Sequence, residues 1–234
     1  MSKKIDKTNE VTAPWFFKTV RMFLFPVIVA LGILLFRNYC LDYLSVSGSS
    51  MYPTLKDNQK ILVNKWDVKS TSNLKRGDVI VFKADPNNPN REAGRDIYVK
   101  RVIGLPGDTV EAKNGTLYVN NKEVNQDFLK LDSNNYKFEQ SDGTVLPSED
   151  GSWTLKSLSQ NKDGYNSWSL NKTTVPKGTV FVLGDHRSVS LDSRYFGFVK
   201  ESTVVGIVRH FPFSKDKDAN YYIDGEYTEH FFKK

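Results

Sequence analysis

A mostly β fold carrying an inserted β lobe and preceded by one N-terminal transmembrane helix is the architecture this sequence predicts. Three observations lead there: one apolar run near the N-terminus, a series of β-branched and aromatic runs after it, and no convincing helical periodicity beyond residue 45. A chain of 234 residues with 39% hydrophobic and 13% aromatic residues buries an adequate core without disulfides or metals.

The apolar run MFLFPVIVALGILLF, residues 22–36, is uncharged. As a helix it covers roughly 22 Å of a hydrocarbon core about 30 Å thick. Trp15, Phe16 and Phe17 on one side and Tyr39 and Tyr43 on the other extend it as aromatic belts, with Lys18, Arg21 and Arg37 reaching outward. A removable secretory signal is the alternative, but RNYCLDYL after the run holds no A-x-A cleavage site. The expectation is an uncleaved signal anchor over 22–40 behind a basic cytoplasmic tail, 1–21. That tail carries five cations (Lys3, Lys4, Lys7, Lys18, Arg21) against two anions, half of the net charge of +6. The positive-inside rule then places everything after residue 40 on the extracytoplasmic side of the plasma membrane in a single pass. The remaining charge is too dispersed for nucleic-acid binding.

Past the anchor, DVIVF (78–82), IYVKRVI (97–103), TVFVL (179–183) and TVVGIVRHF (203–211) read as strands bounded by Gly, Pro and Asp. TVEAKNGTLYV, 109–119, reads as a hairpin about Asn114-Gly115, a dipeptide suited to a type I′ turn. Residues 120–175, rich in Asn, Lys, Ser and Asp with scattered Phe128, Tyr136, Phe138, Trp153 and Trp168, read as the inserted lobe between two parts of the core, 41–119 and 176–234. Cys40 is the only cysteine and His186, His210 and His230 are widely spaced, so neither a disulfide nor a metal site is expected, and no cofactor.

Chemistry concentrates in three segments. In SVSGSSMYPTL (45–55) small residues crowd Ser50 and Pro53 constrains the chain after it, so N–H groups near Gly48 and Ser50 are placed to meet a carbonyl oxygen. Read alone, the segment is also compatible with a Ser/Gly linker, which Met51, Tyr52 and Leu55 argue against. In IYVKRVIGLPGD (97–108) strand alternation puts Tyr98, Lys100 and Val102 on one face and Arg101 on the other. A lysine on an apolar face is desolvated; as a base near neutral pH it must fall from about 10.4 to roughly 7, a perturbation of about 5 kcal/mol. GDHRSVSLDSRYFGFV (184–199) alternates hydroxyls with charges (Ser188, Ser190, Asp192, Arg194), as a hydrogen-bonded site does and as a turn with a surface Asp-Arg pair also does. No G-x-S-x-G supports a Ser-His-Asp triad at Asp185-His186, and S-x-x-K at Ser72, Ser159 and Ser214 lacks the S-D-N and K-T-G that penicillin-binding chemistry requires.

Together and in this order behind an anchor, S-G-S-S-M-Y-P-T-L, Y-V-K-R-V-I-G-L-P-G-D and G-D-H-R-S-V-S-L-D-S-R-Y-F-G resemble the bacterial type I signal peptidases, in the single-anchor form of Gram-positive bacteria. The resemblance covers the anchor and the β core and omits most of 120–175. It implies a signal-peptidase-like β fold and a cofactor-free Ser-Lys endopeptidase that removes signal peptides from exported preproteins at the lipid bilayer. On this resemblance Ser50 is the nucleophile, Lys100 the general base, and the Ser50 N–H with a backbone donor at Gly48 the oxyanion hole. Ser190 orients the lysine, Asp192 and Arg194 brace the site as an ion pair, and Asp185 and Arg187 support it. Met51, Leu55 and Val99 line shallow pockets that admit small P1 and P3 residues, an Ala-x-Ala preference. His186 stands where the family usually has Asn. A silent anchored assembly factor and a dedicated pilin-type processing enzyme are the rival readings.

Overall fold

The computed structural model describes residues 13–71, 74–88, 91–127, 129, 151–160, 172–210, 217–223 and 225–234. The chain divides into two compact units, Met1–Leu41 and Asp42–Lys234. The first holds helix α1 (Ala13–Cys40), with Pro26 inside it. Its segment Thr19–Cys40, 22 residues of mean hydropathy 2.3, is long and apolar enough to cross a membrane. At 1.5 Å per residue it spans about 33 Å, so the helix continues past the apolar run read from the sequence and supplies the missing length.

The second unit is built on a seven-stranded sheet in the order β1 (Leu41–Ser45), β2 (Lys60–Asn64), β11 (Val204–Arg209), β3 (Val79–Lys83), β4 (Ile97–Gly104), β9 (Thr179–Leu183), β10 (Val199–Lys200). Four of these strands match the apolar runs of the sequence to within two residues. Both faces of the sheet are covered. Alternation sends Val79 and Val81 of β3 to a cluster with Met51, Leu55, Ile61 and Val63, and Ile80 and Phe82 to another with Tyr98, Val102 and Val182. That double burial is why Val79–Phe82 is continuously apolar.

A smaller sheet runs β7 (Lys122–Glu123), β6 (Thr116–Val119), β5 (Val110–Lys113), β8 (Trp153–Thr154). At the β5–β6 turn Asn114 and Gly115 have φ of 49° and 76°, both positive as a type I′ hairpin demands. The hairpin, read from the sequence as part of the core before residue 120, belongs to this small sheet. The chain leaves β4 at the Leu105-Pro106-Gly107 turn, and Val110, Ala112, Leu117 and Val119 pack with Trp153, Leu155 and Phe181. Of the lobe's aromatics, Trp153 is thus a core residue; Phe128, Tyr136, Phe138 and Trp168 lie outside the described residues.

Short helices α2 (Trp66–Thr71), α3 (Leu155–Gln160), α4 (Ser193–Phe196), α5 (Lys217–Ile223) and α6 (Gly225–Glu229) fill the connections. None exceeds seven residues, too short for an amphipathic pattern to register in sequence. The C-terminal segment closes the small sheet: Phe232 bridges to Val124, Asn125 donates to Phe231 O at 2.8 Å, and Tyr227 and Phe231 are buried.

Candidate active site

Ser50 lies in the turn between β1 and β2, fixed from two sides. Beneath it Met51 and Leu55 are buried, 1% and 0% exposed. Behind it the His186 N–H donates to Ser50 O at 3.0 Å, and His186 Nδ1 lies 3.2 Å from Ser49 O. His186 therefore holds the backbone of the Ser50 turn with both its main chain and its ring. Gly184 permits this approach: a Cβ there would stand 2.5 Å from Ser50 O and 2.0 Å from Ser190 Oγ.

Lys100 rises from the middle of β4, opposite Ile80 of β3, and is 2% exposed. Its Nζ donates to Ser50 Oγ at 2.8 Å and to Val99 O at 2.9 Å, and stands 5.5 Å from the Tyr98 ring. Burial pulls the amine down from 10.5 to about 8; Arg95 pulls the same way, while Asp192, Asp185 and Glu92 push back. The drop is smaller than the sequence argument asked for, because the carboxylates partly offset desolvation.

The residues around this pair form two buried ionic clusters. Arg194 grips Asp192 with Nε and Nη2, each at 2.8 Å, and also donates to Arg187 O at 2.8 Å. Asp192 caps α4 and accepts the Gly184 N–H at 2.9 Å. Burial pushes the Asp192 carboxyl up, but the charge and hydrogen bonds of Arg194, the Gly184 N–H and Lys100 outweigh it and hold it below the usual carboxylate range. On the opposite face of β4, Arg101 grips Asp185 at 2.9 and 2.7 Å, donates to Gly77 O and Tyr222 O at 2.9 and 2.6 Å, and stacks 5.1 Å from the Tyr227 ring. Arg187 donates to Gly184 O at 3.1 Å and Gln126 Oε1 at 2.6 Å, tying the site to the small sheet; burial lowers its pKa to about 10.

A groove of about 580 Å³ runs along Ser50 and Lys100, walled by Val46, Met51, Arg95 and Val99. Strand β9 pairs only with Arg101–Gly104, so among the described residues nothing pairs with Ile97–Lys100 on that side and this strand edge faces the groove.

Three expectations change. The Gly48 N–H is committed to Asp57 Oδ1 at 2.8 Å, with Gly48 at φ 92°, so it is not available to an oxyanion. Ser190 makes no bond to Lys100: its Oγ is buried without a hydrogen-bond partner among the described residues and packs against Gly184, while the lysine turns to Ser50 and Val99. Leu55 does not wall this groove; it is fully buried among Val46, Ile61 and Val63.

Comparison with known proteins gives the family of the chain. Residues 17–212 match the family described as signal peptidase, peptidase S26. The chain belongs to this family. It is 41% identical over 175 residues to signal peptidase IB of Staphylococcus aureus, covering 74% of this chain and 79% of that protein. It is 38% identical over 219 residues to signal peptidase I of Bacillus caldolyticus, covering 92% and 97%. A crystal structure of a signal peptidase I from Enterococcus faecalis is similar at 35% identity and a TM-score of 0.41, covering 58% of this chain and 96% of that one. The activity of this signal peptidase family member is removal of signal peptides from preproteins at the membrane, as a serine protease.

Sequence reasoning passed over Arg101, Asp57 and Gly184. Arg101 was detectable in principle: a second cation inside an apolar strand needs a buried carboxylate, and Asp185 follows another buried strand. Asp57 and Gly184 act through contacts distant in sequence that no local pattern announces.

Proposed function

We propose that this signal peptidase works through a Ser50-Lys100 dyad, and the observation that carries the reading is the 2.8 Å contact between Lys100 Nζ and Ser50 Oγ. With the amine neutral the same contact runs from hydroxyl to nitrogen. Lys100 takes the Ser50 proton as Oγ attacks the scissile carbonyl; the tetrahedral intermediate collapses with the lysinium protonating the leaving amine, and water, activated by the same amine, releases the acyl group. A lysine near 8 is about one-tenth neutral at pH 7, against roughly one part in three thousand for an ordinary lysine.

The substrate adds as an extended strand along the open edge of Ile97–Lys100, its side chains alternating into a groove whose floor at Met51 and Val99 suits small P1 and P3 residues such as Ala-x-Ala. Thr19–Cys40 anchors the enzyme in the bilayer with its basic end in the cytoplasm, which leaves the unit from Asp42 onward extracytoplasmic. The test is cleavage of an Ala-x-Ala preprotein by the full chain in detergent, comparing wild type with Ser50→Ala and Lys100→Ala across pH. One cut in wild type, loss in both variants and an acid limb near 8 are expected. Retention of most activity by Lys100→Ala overturns the dyad; equal cleavage after a bulky P1 residue overturns the pocket assignment.

A further inference from the structure

An oxyanion forming beside Ser50 meets the Ser50 N–H, which is uncommitted among the described residues, but not the Gly48 N–H, which Asp57 holds. One donor is a thin provision for a developing negative charge. The space beside Gly48 is not empty. A Cβ built on Gly48 would stand 3.5 Å from Arg95 Nη1 and 3.7 Å from Arg95 Nη2, so the guanidinium lies at van der Waals distance from the side-chain position two residues before the nucleophile.

Arg95 is held there by its own contacts. Nη1 donates to Ser47 O at 3.2 Å and Nε pairs with Glu92 at 3.0 Å, which leaves Nη2 with no hydrogen-bond partner among the described residues. The side chain is 30% exposed and walls the same groove as Ser50 and Lys100. Its charge is felt at the base, where it favours the neutral amine. A groove-lining cation beside Gly48, with Nη1 and Nε engaged and Nη2 unengaged among the described residues, has the form of a donor for an anionic oxygen.

We propose that Arg95 is a catalytic residue of this enzyme, its guanidinium supplying, with the Ser50 N–H, the second donor to the oxyanion of the tetrahedral intermediate. As Ser50 Oγ bonds to the scissile carbon, the carbonyl π pair moves onto oxygen and Arg95 Nη2–H donates to it. On collapse the pair returns to re-form the carbonyl, and Arg95 keeps all its protons. The proposal rests on Ser50 being the nucleophile.

The experiment uses the full chain in detergent, a peptide substrate with Ala at P1 and P3, and the matching peptide aldehyde, whose adduct with a serine carries the tetrahedral oxyanion. Removing an oxyanion donor lowers kcat by about 10²- to 10³-fold. Arg95→Ala is expected to show that loss with KM within about threefold, a parallel loss of aldehyde affinity and partial recovery of kcat on adding guanidinium well below denaturing concentrations; Arg95→Lys falls between. Arg91→Ala, a neighbour on the same loop that pairs with Asp96, controls for loop disturbance and leaves kcat unchanged. Full kcat in Arg95→Ala, a change in KM alone, or a loss with intact aldehyde affinity and no guanidinium recovery overturns the proposal while leaving Ser50 in place. Cleavage by Ser50→Ala overturns the dyad and this proposal with it.

Discussion

Replacing Lys100 with methionine is expected to abolish cleavage and to make the protein more stable. The fold holds the Lys100 amine at about 8 against 10.5 for an exposed lysine. At about 1.4 kcal/mol per unit, that depression means the buried amine costs folding about 3 kcal/mol at neutral pH. The folded state binds fewer protons than the unfolded one, so the cost is full below about pH 8 and vanishes as pH rises through about 10.5. Methionine fills nearly the same volume with an apolar chain and removes it. Two hydrogen bonds are lost, to Ser50 Oγ and Val99 O, offsetting about 1 kcal/mol in all because Ser50 opens onto the groove and water takes the place of the amine. The net gain is about 1 to 2 kcal/mol at neutral pH, roughly 2–8 °C in Tm for a chain of this size. Thermal melts of the full chain in detergent, followed by circular dichroism at about pH 7 and about pH 10, read it directly. A variant less stable than wild type at neutral pH, or a gain that does not shrink as pH rises, refutes the claim that burial holds the Lys100 pKa below its ordinary value.

Gly184→Ala places a methyl 2.5 Å from Ser50 O and 2.4 Å from Ser190 Cβ; the expected outcome is a folded protein with kcat lowered about 100-fold, since a shift of about 1 Å in a reacting group costs that much. Peptide cleavage with a parallel melt separates this from unfolding. Arg101→Met removes the guanidinium that grips the buried Asp185 at 2.7 Å, and denaturant titration should read a loss of about 3–5 kcal/mol, with Arg101→Met/Asp185→Leu losing clearly less. Asp192→Asn/Arg194→Gln keeps the shape of that pair but removes a carboxylate that raises the Lys100 pKa; the acid limb of the pH–rate profile moves to lower pH, and an upward movement contradicts the assigned electrostatics.

The strands nearest the site were legible because each is rich in β-branched and aromatic residues and bounded by turn residues, and the type I′ hairpin because Asn114-Gly115 is the one dipeptide between Thr109 and Val119 that takes two positive φ angles cheaply. Strands β1 and β2 were missed. LDYLS is half exposed and KILVN has two fully buried side chains, too few for a pattern. At the site, Ser50 and Lys100 stand out by their immediate neighbours. What Gly48, Ser190 and Leu55 do was misjudged for a common reason: each is decided by a partner from a distant segment or by packing. Asp57 captures the Gly48 N–H, Gly184 packs against Ser190, and the core takes Leu55.

Lys100 and Arg101 are consecutive, both fully buried, and treated in opposite ways. Arg101 receives a bidentate carboxylate, two backbone carbonyls and an aromatic face, and burial is more than offset, so its pKa rises above that of a free arginine. Lys100 receives a hydroxyl and one carbonyl. The nearby Asp192 is engaged by the two-pronged grip of Arg194, and Asp185 is spent on Arg101. Neither carboxylate makes a hydrogen bond to the lysine, so what reaches Lys100 is a residual field, enough to check the effect of burial but not to reverse it. Arginine suits the paired positions because its guanidinium does not lose its proton there, and lysine suits the unpaired one because it does. In the proposed dyad the core arginines therefore contribute to catalysis without touching the scissile bond: by binding the carboxylates in pairs, they keep one buried cation poor in partners, and that poverty suits it to the part of base.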